Sequence, residues 1–268
     1  MPLSLINAAT PPRRIFLVTH GSSDPRSWDA LQNLVQAVQA AYPHWQIGGG
    51  CLEGQPQTLA QQMITFSETS FSESTFRQTA GHQVTFNQGK TTGKIHVVPL
   101  FLLSGTHVMV DIPEQVQQAK ASLISLNRDL DLEILPYLGA HPELPAVLAT
   151  NFLSQAAPAP DSKRLLIAHG SRRQSANEGI RQLAAQVNAT ASFWAATPSW
   201  EEQLHLWQNE GVKNVVILPY FLVAGGITEI IASKVNNPLN LCPDLHLELL
   251  PLPFSAETII MLINSLFL

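Results

Sequence analysis

The chain has 268 residues, 45% hydrophobic and 13% charged, which is ample apolar material for one large or two smaller compact domains and excludes a disordered chain. Its 15 Lys and Arg are scattered among 20 Asp and Glu, so the net charge of −5 leaves no basic stripe for a nucleic-acid backbone. Cys51 and Cys242 belong to no CxxC pair, which excludes a disulfide framework and signals no structural zinc or iron–sulfur site.

The opening stretch MPLSLINAATPPRR has no basic segment ahead of an apolar one, and no apolar run reaches the roughly 18 residues needed to cross a bilayer. A soluble, cytoplasmic protein with no membrane partner is expected. From Arg13, RRIFLVTHGSSDPRS reads as a short buried strand ending at His20 and a polar turn. Trp28 to Ala41 then carries Leu31, Leu34, Val35 and Val38 at the spacing of a buried helical stripe. A second short strand, IGGGCL, ends at Glu53. Phe66 to Gly93 is rich in Ser, Thr and Gln and reads as a surface insertion. Its GKTTGK is not a phosphate loop, because Val84 stands where that motif needs glycine and no clean strand precedes it.

The apolar run from Ile95 through Leu102 predicts a third strand, followed by a turn at Gly105 that presents His107. Asp111 and Glu114 have the spacing of a capping box for a helix over Glu114–Leu126, so Asp111 reads first as a cap and second as a group that orients His107. LEILPYLG, from Leu132, adds a strand, SQAAPAPDSK (Ser154–Lys163) reads as a linker, and ETIIMLINSLFL as a closing helix.

These landmarks recur in the same order. KRLLIAHGSRRQSAN from Lys163 repeats the first strand and its His-Gly-Ser; KNVVILPYFLVAGG from Lys213 repeats the third, proline included; LELLPLPF from Leu247 repeats the last. Strands alternating with amphipathic helices predict an α/β fold of two similar lobes, each a parallel sheet flanked by helices, with a cleft between them. The first lobe is expected over 13–154, with 66–93 as its insertion, and the second over 163–268.

In open α/β sheets ligands bind beyond the carboxyl ends of the strands, where His20, Glu53 and His107 all fall. Two imidazoles and a carboxylate there suit a divalent metal. Taken alone, His20 is explained by a tight strand-to-helix turn, but the repeat supplies an internal control. Alignment on the prolines sets Ala195 opposite Glu53 and Ile227 opposite His107, and only His169 survives opposite His20. A polar set is complete in the first half and dismantled in the second. His44, His82, His96, His141, His205 and His246 have weaker contexts and read as surface or structural residues.

THGSSDPRS from Thr19, LEGQP from Leu52, VVPLFLLSGTHVMVDIP from Val97 and YLGAHPEL from Tyr137 closely resemble the sirohydrochlorin chelatases, the ATP-independent class II tetrapyrrole chelatases of cobalamin and sirohaem synthesis. The resemblance covers nearly the whole chain apart from the insertion and is that of the long form with two fused units. It implies that His20 and His107 bind the metal and take protons from the macrocycle, and that Glu53 is the third metal-site residue. It implies cobalt or iron as metal substrate, sirohydrochlorin as partner, no nucleotide, and a monomer of two repeated lobes whose second half walls the cleft. Neutral imidazole suits both tasks, being a borderline ligand and a base. The macrocycle is rich in carboxylates, for which Ser22, Ser23, Arg26 and the backbone at Ser104, Gly105 and Thr106 are the expected donors. Its apolar face would meet residues such as Leu102, Leu103, Val108 and Met109, which could also be ordinary core.

Two other functions compete. A histidine phosphatase needs an arginine beside the histidine to hold phosphate, and Thr19 stands there. A non-catalytic carrier of metal or tetrapyrrole would use the same residues, and turnover separates it from an enzyme.

Overall fold

The structure is a computed structural model that describes residues 13–68, 93–153, 162–237 and 241–267. Residues 1–12, most of the linker, His82 and residues 89–92 of the GKTTGK segment lie outside the described residues, and Gly93 and Lys94 of that segment open a strand. Packing groups the described residues of 1–99 with 106–136 in one unit, and Leu100–Gly105 with Tyr137 onward in another.

The first unit is built on four parallel strands, β1 (Arg14–Gly21), β2 (Gln46–Glu53), β3 (Gly93–Pro99) and β4 (Leu130–Ile134), in the order β2-β1-β3-β4. Ile15, Phe16, Leu17 and Val18 of β1 are at most 1% exposed, because a central parallel strand is covered on both faces. The cover comes from α1 (Pro25–Ala41), α2 (Leu59–Glu68) and α3 (Ile112–Ser125). Helix α1 starts where Asp24 accepts the backbone N–H of Arg26, with a proline in its first turn. Its predicted stripe faces the sheet, Leu31 and Val38 fully buried and Leu34 and Val35 half-buried.

Helix α2 runs into the stretch expected to be a surface insertion. Phe66, Ser67 and Glu68 are its last residues, and the Phe66 ring is buried 5.3 Å from that of Phe16, over Gly48, where any Cβ would strike it. The signal was Phe66 at helical spacing from Leu59 and Met63, hidden by the polar residues that follow. Residues 69–92 of that stretch lie outside the described residues.

The second unit repeats the sheet as β5 (Lys163–Ala168), β6 (Thr190–Phe193), β7 (Asn214–Tyr220) and β8 (His246–Leu249), in the order β6-β5-β7-β8. Its helices are α4 (Leu144–Leu153), α5 (Gln174–Gln186), α6 (Trp200–Asn209), α7 (Gly226–Asn236) and α8 (Ala256–Ser265). Helix α4 packs on α5 and β7, and a capping box between Ser199 and Glu202 starts α6. Trp200, Leu204, Trp207, Ile217 and Ile231 form part of one buried cluster under this sheet. The strands, their parallel pairing and the twofold repetition agree with the sequence expectation.

Two local features position the strand ends. Gly21 and Gly54 both have φ of +82°, a region that disfavours side chains. A Cβ at Gly21 would lie 2.0 Å from the Glu53 carbonyl oxygen, and one at Gly54 would lie 2.1 Å from that of Ser22. Gly105, by contrast, has no positive φ and nothing within 4 Å of an added Cβ, so the turn there does not require glycine. Gly54→Ala is therefore expected to destabilise the protein by roughly 1–3 kcal/mol, while Gly105→Ala stays within about 0.5 kcal/mol of the parent; paired urea titrations measure both.

His141, in the YLGAHPEL segment, is 4% exposed. Its Nδ1 accepts the Glu143 backbone N–H, and its Nε2 lies 3.1 Å from Ser265 Oγ. Burial pushes its imidazole below the usual histidine value, against smaller opposing effects of Glu143 and a backbone hydrogen bond at Leu262. Burial likewise lowers His96, with Glu133 opposing. Both side chains thus take up protons more readily when unfolded. Their stabilisation is complete above the unfolded histidine value of about 6.5 and is lost as pH falls from there through the lower folded values. The urea midpoint should drop between pH 7.5 and pH 5.5, and the drop should shrink in His141→Asn; an undiminished drop in that variant would show that His141 is not among its sources.

Candidate metal centre

The interlocked glycines bring β1 and β2 to an end side by side, with Gly21 in register with Glu53. His20 therefore stands at the carboxyl end of β1 and Glu53 at that of β2. The third strand is shorter than expected. The sheet pairing of β3 ends at Pro99, opposite Val18, because proline has no N–H for the ladder. The following residues, Leu100–Gly105, pack with the second unit: Phe101 accepts the backbone N–H of Gly139, and the buried Tyr220 hydroxyl lies 3.5 Å from the Leu102 carbonyl. Leu102 and Leu103 are half-buried there.

The chain re-enters the first unit in a π-helical turn, His107–Asp111, in which the Ile112 N–H donates to the His107 carbonyl before α3 begins. Such turns are uncommon and occur often at functional sites. His107 Nε2 comes 3.0 Å from His20 Nε2, the two rings meeting edge to face at 4.5 Å. The other nitrogen of each ring faces an acceptor. His20 Nδ1 is 2.8 Å from the Gly21 carbonyl oxygen and His107 Nδ1 is 2.6 Å from Asp111 Oδ2. A carbonyl and a carboxylate can only accept, so in the neutral rings each Nδ1 carries the proton, and the two Nε2 atoms face each other at a distance an ion could bridge.

Glu53 is nearby but is not drawn in. Its Oε1 is 4.0 Å from His20 Nε2, beyond hydrogen-bond reach, and the side chains of His20 and Glu53 are 46% and 62% exposed. Among the described residues, no group of three or more His, Cys, Asp or Glu is arranged to hold a metal ion. The two imidazoles approach each other, then, while the exposed carboxylate stays 4.0 Å from His20.

The capping reading of Asp111 is corrected. Its backbone is helical, at φ −66° and ψ −46°, and its side chain makes no cap hydrogen bond. A cap needs an extended backbone to aim its oxygen at the following N–H groups. Its carboxylate goes to His107 instead. The sequence held a signal for this turn in the repeat. The buried anchor of α3, Ile112, follows His107 by five residues, whereas that of α7, Ile231, follows Ile227 by four.

The expected donors to substrate carboxylates are near the same edge of the first unit or in the loop before it. Ser22 and Ser23 are exposed, but Ser22 Oγ accepts the Asp24 N–H. Arg26 is committed to Asp24 through Nε and Nη2, at 2.7–3.2 Å, and this holds the Asp24 carboxyl below its usual range. Ser104 and Gly105 belong with the second unit and the exposed Thr106 with the first. Val108 is half-buried, while Met109 and Val110, at 53% and 40% exposure, present an apolar surface beside His107 that sequence reading credited only to Met109.

In the second unit the corresponding edge lacks this chemistry. His169 repeats the His20 ring geometry, with Nδ1 3.0 Å from the Gly170 carbonyl, and Ala195 donates its N–H to the His169 carbonyl at the place of Glu53. Ile227, at the place of His107, packs on the apolar cluster around Trp200 and Ile231. No helix among the described residues is long and apolar enough to cross a membrane.

The chain is similar to a sirohydrochlorin ferrochelatase of Priestia megaterium, 28% identical over 157 residues that cover 54% of this chain and 56% of that protein. It is also similar to a sirohydrochlorin cobaltochelatase of that organism, 26% identical over 152 residues, 52% of this chain and 48% of the other. The chain thus spans about half the length of the curated relatives it matches. Among solved structures, SirB from Bacillus subtilis with Fe3+ superposes with a TM-score of 0.68 over 96% of both chains at 17% identity. CbiX, described as the terminal enzyme for biosynthesis of siroheme in denitrifying bacteria, does so at 0.61 over 94% of this chain and 99% of its own, at 21% identity. At such identities the likeness is one of fold. The CbiX family model, however, matches residues 14–154 and again 163–251, taking in both sheets and the histidine pair, so the chain belongs to the CbiX family.

Proposed function

We propose that this protein inserts a divalent metal, cobalt or iron, into sirohydrochlorin without ATP, at one site made by His20 and His107 with Glu53. The observation that carries this reading is the approach of two Nε2 atoms to 3.0 Å. Nitrogens at that separation can bind one ion in adjacent positions, each at about 2.1 Å, the usual metal–imidazole length. Two neutral ligands with only a distant carboxylate hold an ion loosely, as a site that must surrender it requires. The partial exposure of all three side chains leaves room for an incoming ring.

Metallation replaces two pyrrolic N–H protons with one divalent ion, so two protons must leave for each ion delivered. The two Nε2 atoms freed by the departing metal are acceptors for those protons, and the half-exposed edge passes them to water. The ion and the macrocycle are both substrates, and no nucleotide takes part, since metallation of a free-base ring is downhill. Thr106 and the serines of the first unit are donors for the peripheral carboxylates, and Arg26 joins them by exchanging Asp24 for a substrate carboxylate. The protein acts as a cytoplasmic monomer of two repeated units.

The sirohydrochlorin absorbance change with Co2+ and with Fe2+, at substoichiometric protein, tests this. His107→Ala is expected to lower the rate at least 100-fold, the scale of a lost acid–base group, and His169→Ala to leave it unchanged. Full turnover by His107→Ala, or a product yield capped at one equivalent of wild-type protein, would reject the single-site enzyme, the latter in favour of a carrier.

A further inference from the structure

The π-turn differs from its repeat by one residue, and that residue changes what can stand beside His107. In the second unit the position four residues after Ile227 is Ile231, which is 0% exposed and part of the core. A carboxylate there would be buried without a partner, which its lost hydration makes strongly unfavourable. In the first unit the core anchor is Ile112, also 0% exposed, five residues after His107. Val116 follows Ile112 and Val235 follows Ile231 at the same spacing, so both helices are in step again after the turn. The extra residue relieves the fourth position of packing duty. Asp111 occupies it, with its side chain 36% exposed and Oδ2 2.6 Å from His107 Nδ1.

We propose that this inserted residue exists to set Asp111 against His107, and that Asp111 is a positioning residue that keeps the His107 proton on Nδ1 and its Nε2 lone pair toward His20. The assignment deepens the proposed metal-handling role of His107 and rests on it. An acceptor at Nδ1 decides the tautomer, because the single proton of a neutral imidazole must choose between two nitrogens. Without Asp111 the proton is free to sit on Nε2, the atom that has to meet the ion. His20 needs no such partner, since the carbonyl of Gly21 does the same work. The first unit therefore uses two different acceptors, one from backbone and one from an inserted side chain, to keep the proton on Nδ1 of both rings and leave the two facing Nε2 atoms for an ion.

The test uses the full chain with 15N-labelled histidine. Long-range 1H–15N correlation reads the His107 tautomer, titration calorimetry reads Co2+ affinity with no macrocycle present, and sirohydrochlorin metallation is followed in parallel. Wild type is expected to show Nδ1–H at His107. Asp111→Ala is expected to populate the Nε2–H tautomer and weaken Co2+ binding about tenfold or more, the usual effect of losing a partner of a ligating histidine. Asp111→Asn, whose amide oxygen can still accept the Nδ1 proton in a side chain of the same shape, should keep the tautomer and most of the affinity. An Nδ1–H tautomer and Co2+ affinity unchanged in Asp111→Ala would overturn the assignment, as would an Asp111→Asn variant as impaired as alanine. A wild-type protein that binds Co2+ through Asp111-oriented His107 but never metallates sirohydrochlorin would sink the proposed function and leave the positioning role standing.

Discussion

The chemistry at the carboxyl edge of the first sheet depends on how closely β1 and β2 approach where they end. Gly21 lies against the Glu53 carbonyl and Gly54 against that of Ser22, so neither strand end can move without the other. A side chain at either position would push backbone against backbone, and the packed strand Ile15–Val18 behind it gives no room to yield. That contact sets His20 one residue from the point where the two strands register. It leaves the Gly21 carbonyl free to take the His20 Nδ1 proton.

From that fixed edge the two units diverge by small means. Both keep the His-Gly-Ser turn, the strand proline and the helix that follows. The second replaces an imidazole by Ile227, which packs on the Trp200 cluster and gains on the order of 1 kcal/mol for the apolar surface it covers. The first keeps His107 half-exposed and lengthens the turn by one residue. One unit has put its strand-end position toward stability, while the other holds polar side chains in water-accessible places where they add little to folding. The proposed site, which must take in an ion and let it go, has to be of the second kind.

The bond pattern also explains why two histidines this close are compatible with a stable fold. Each has one nitrogen satisfied by an acceptor, and the pair that faces inward at 3.0 Å is partly exposed, so water or a cation can meet it. The deeply buried histidine, His141, is treated differently. It is hydrogen-bonded at both nitrogens and carries no lone pair toward solvent. The same residue type is thus a buried structural piece at His141 and a partly exposed one at His20 and His107.

Most of the architecture was legible in the sequence. Apolar runs of strand length alternating with amphipathic helices, written twice, dictate two parallel sheets, because local periodicity and the right-handed crossover leave few other arrangements. The ends of β1 and β2, and with them the places of His20 and Glu53, followed from the same pattern, as did a turn that presents His107 after the third strand. The missing counterparts of Glu53 and His107 in the second half pointed to the first sheet as the place of the proposed site. Only the tertiary structure decided the rest. It ended β3 at Pro99, gave the start of the expected insertion to α2 through the buried Phe66, left Glu53 at 4.0 Å, and turned Asp111 from a helix cap into the partner of His107. Each of these turns on where a side chain finds its contact across the fold, and residue spacing along one strand or helix does not encode that distance.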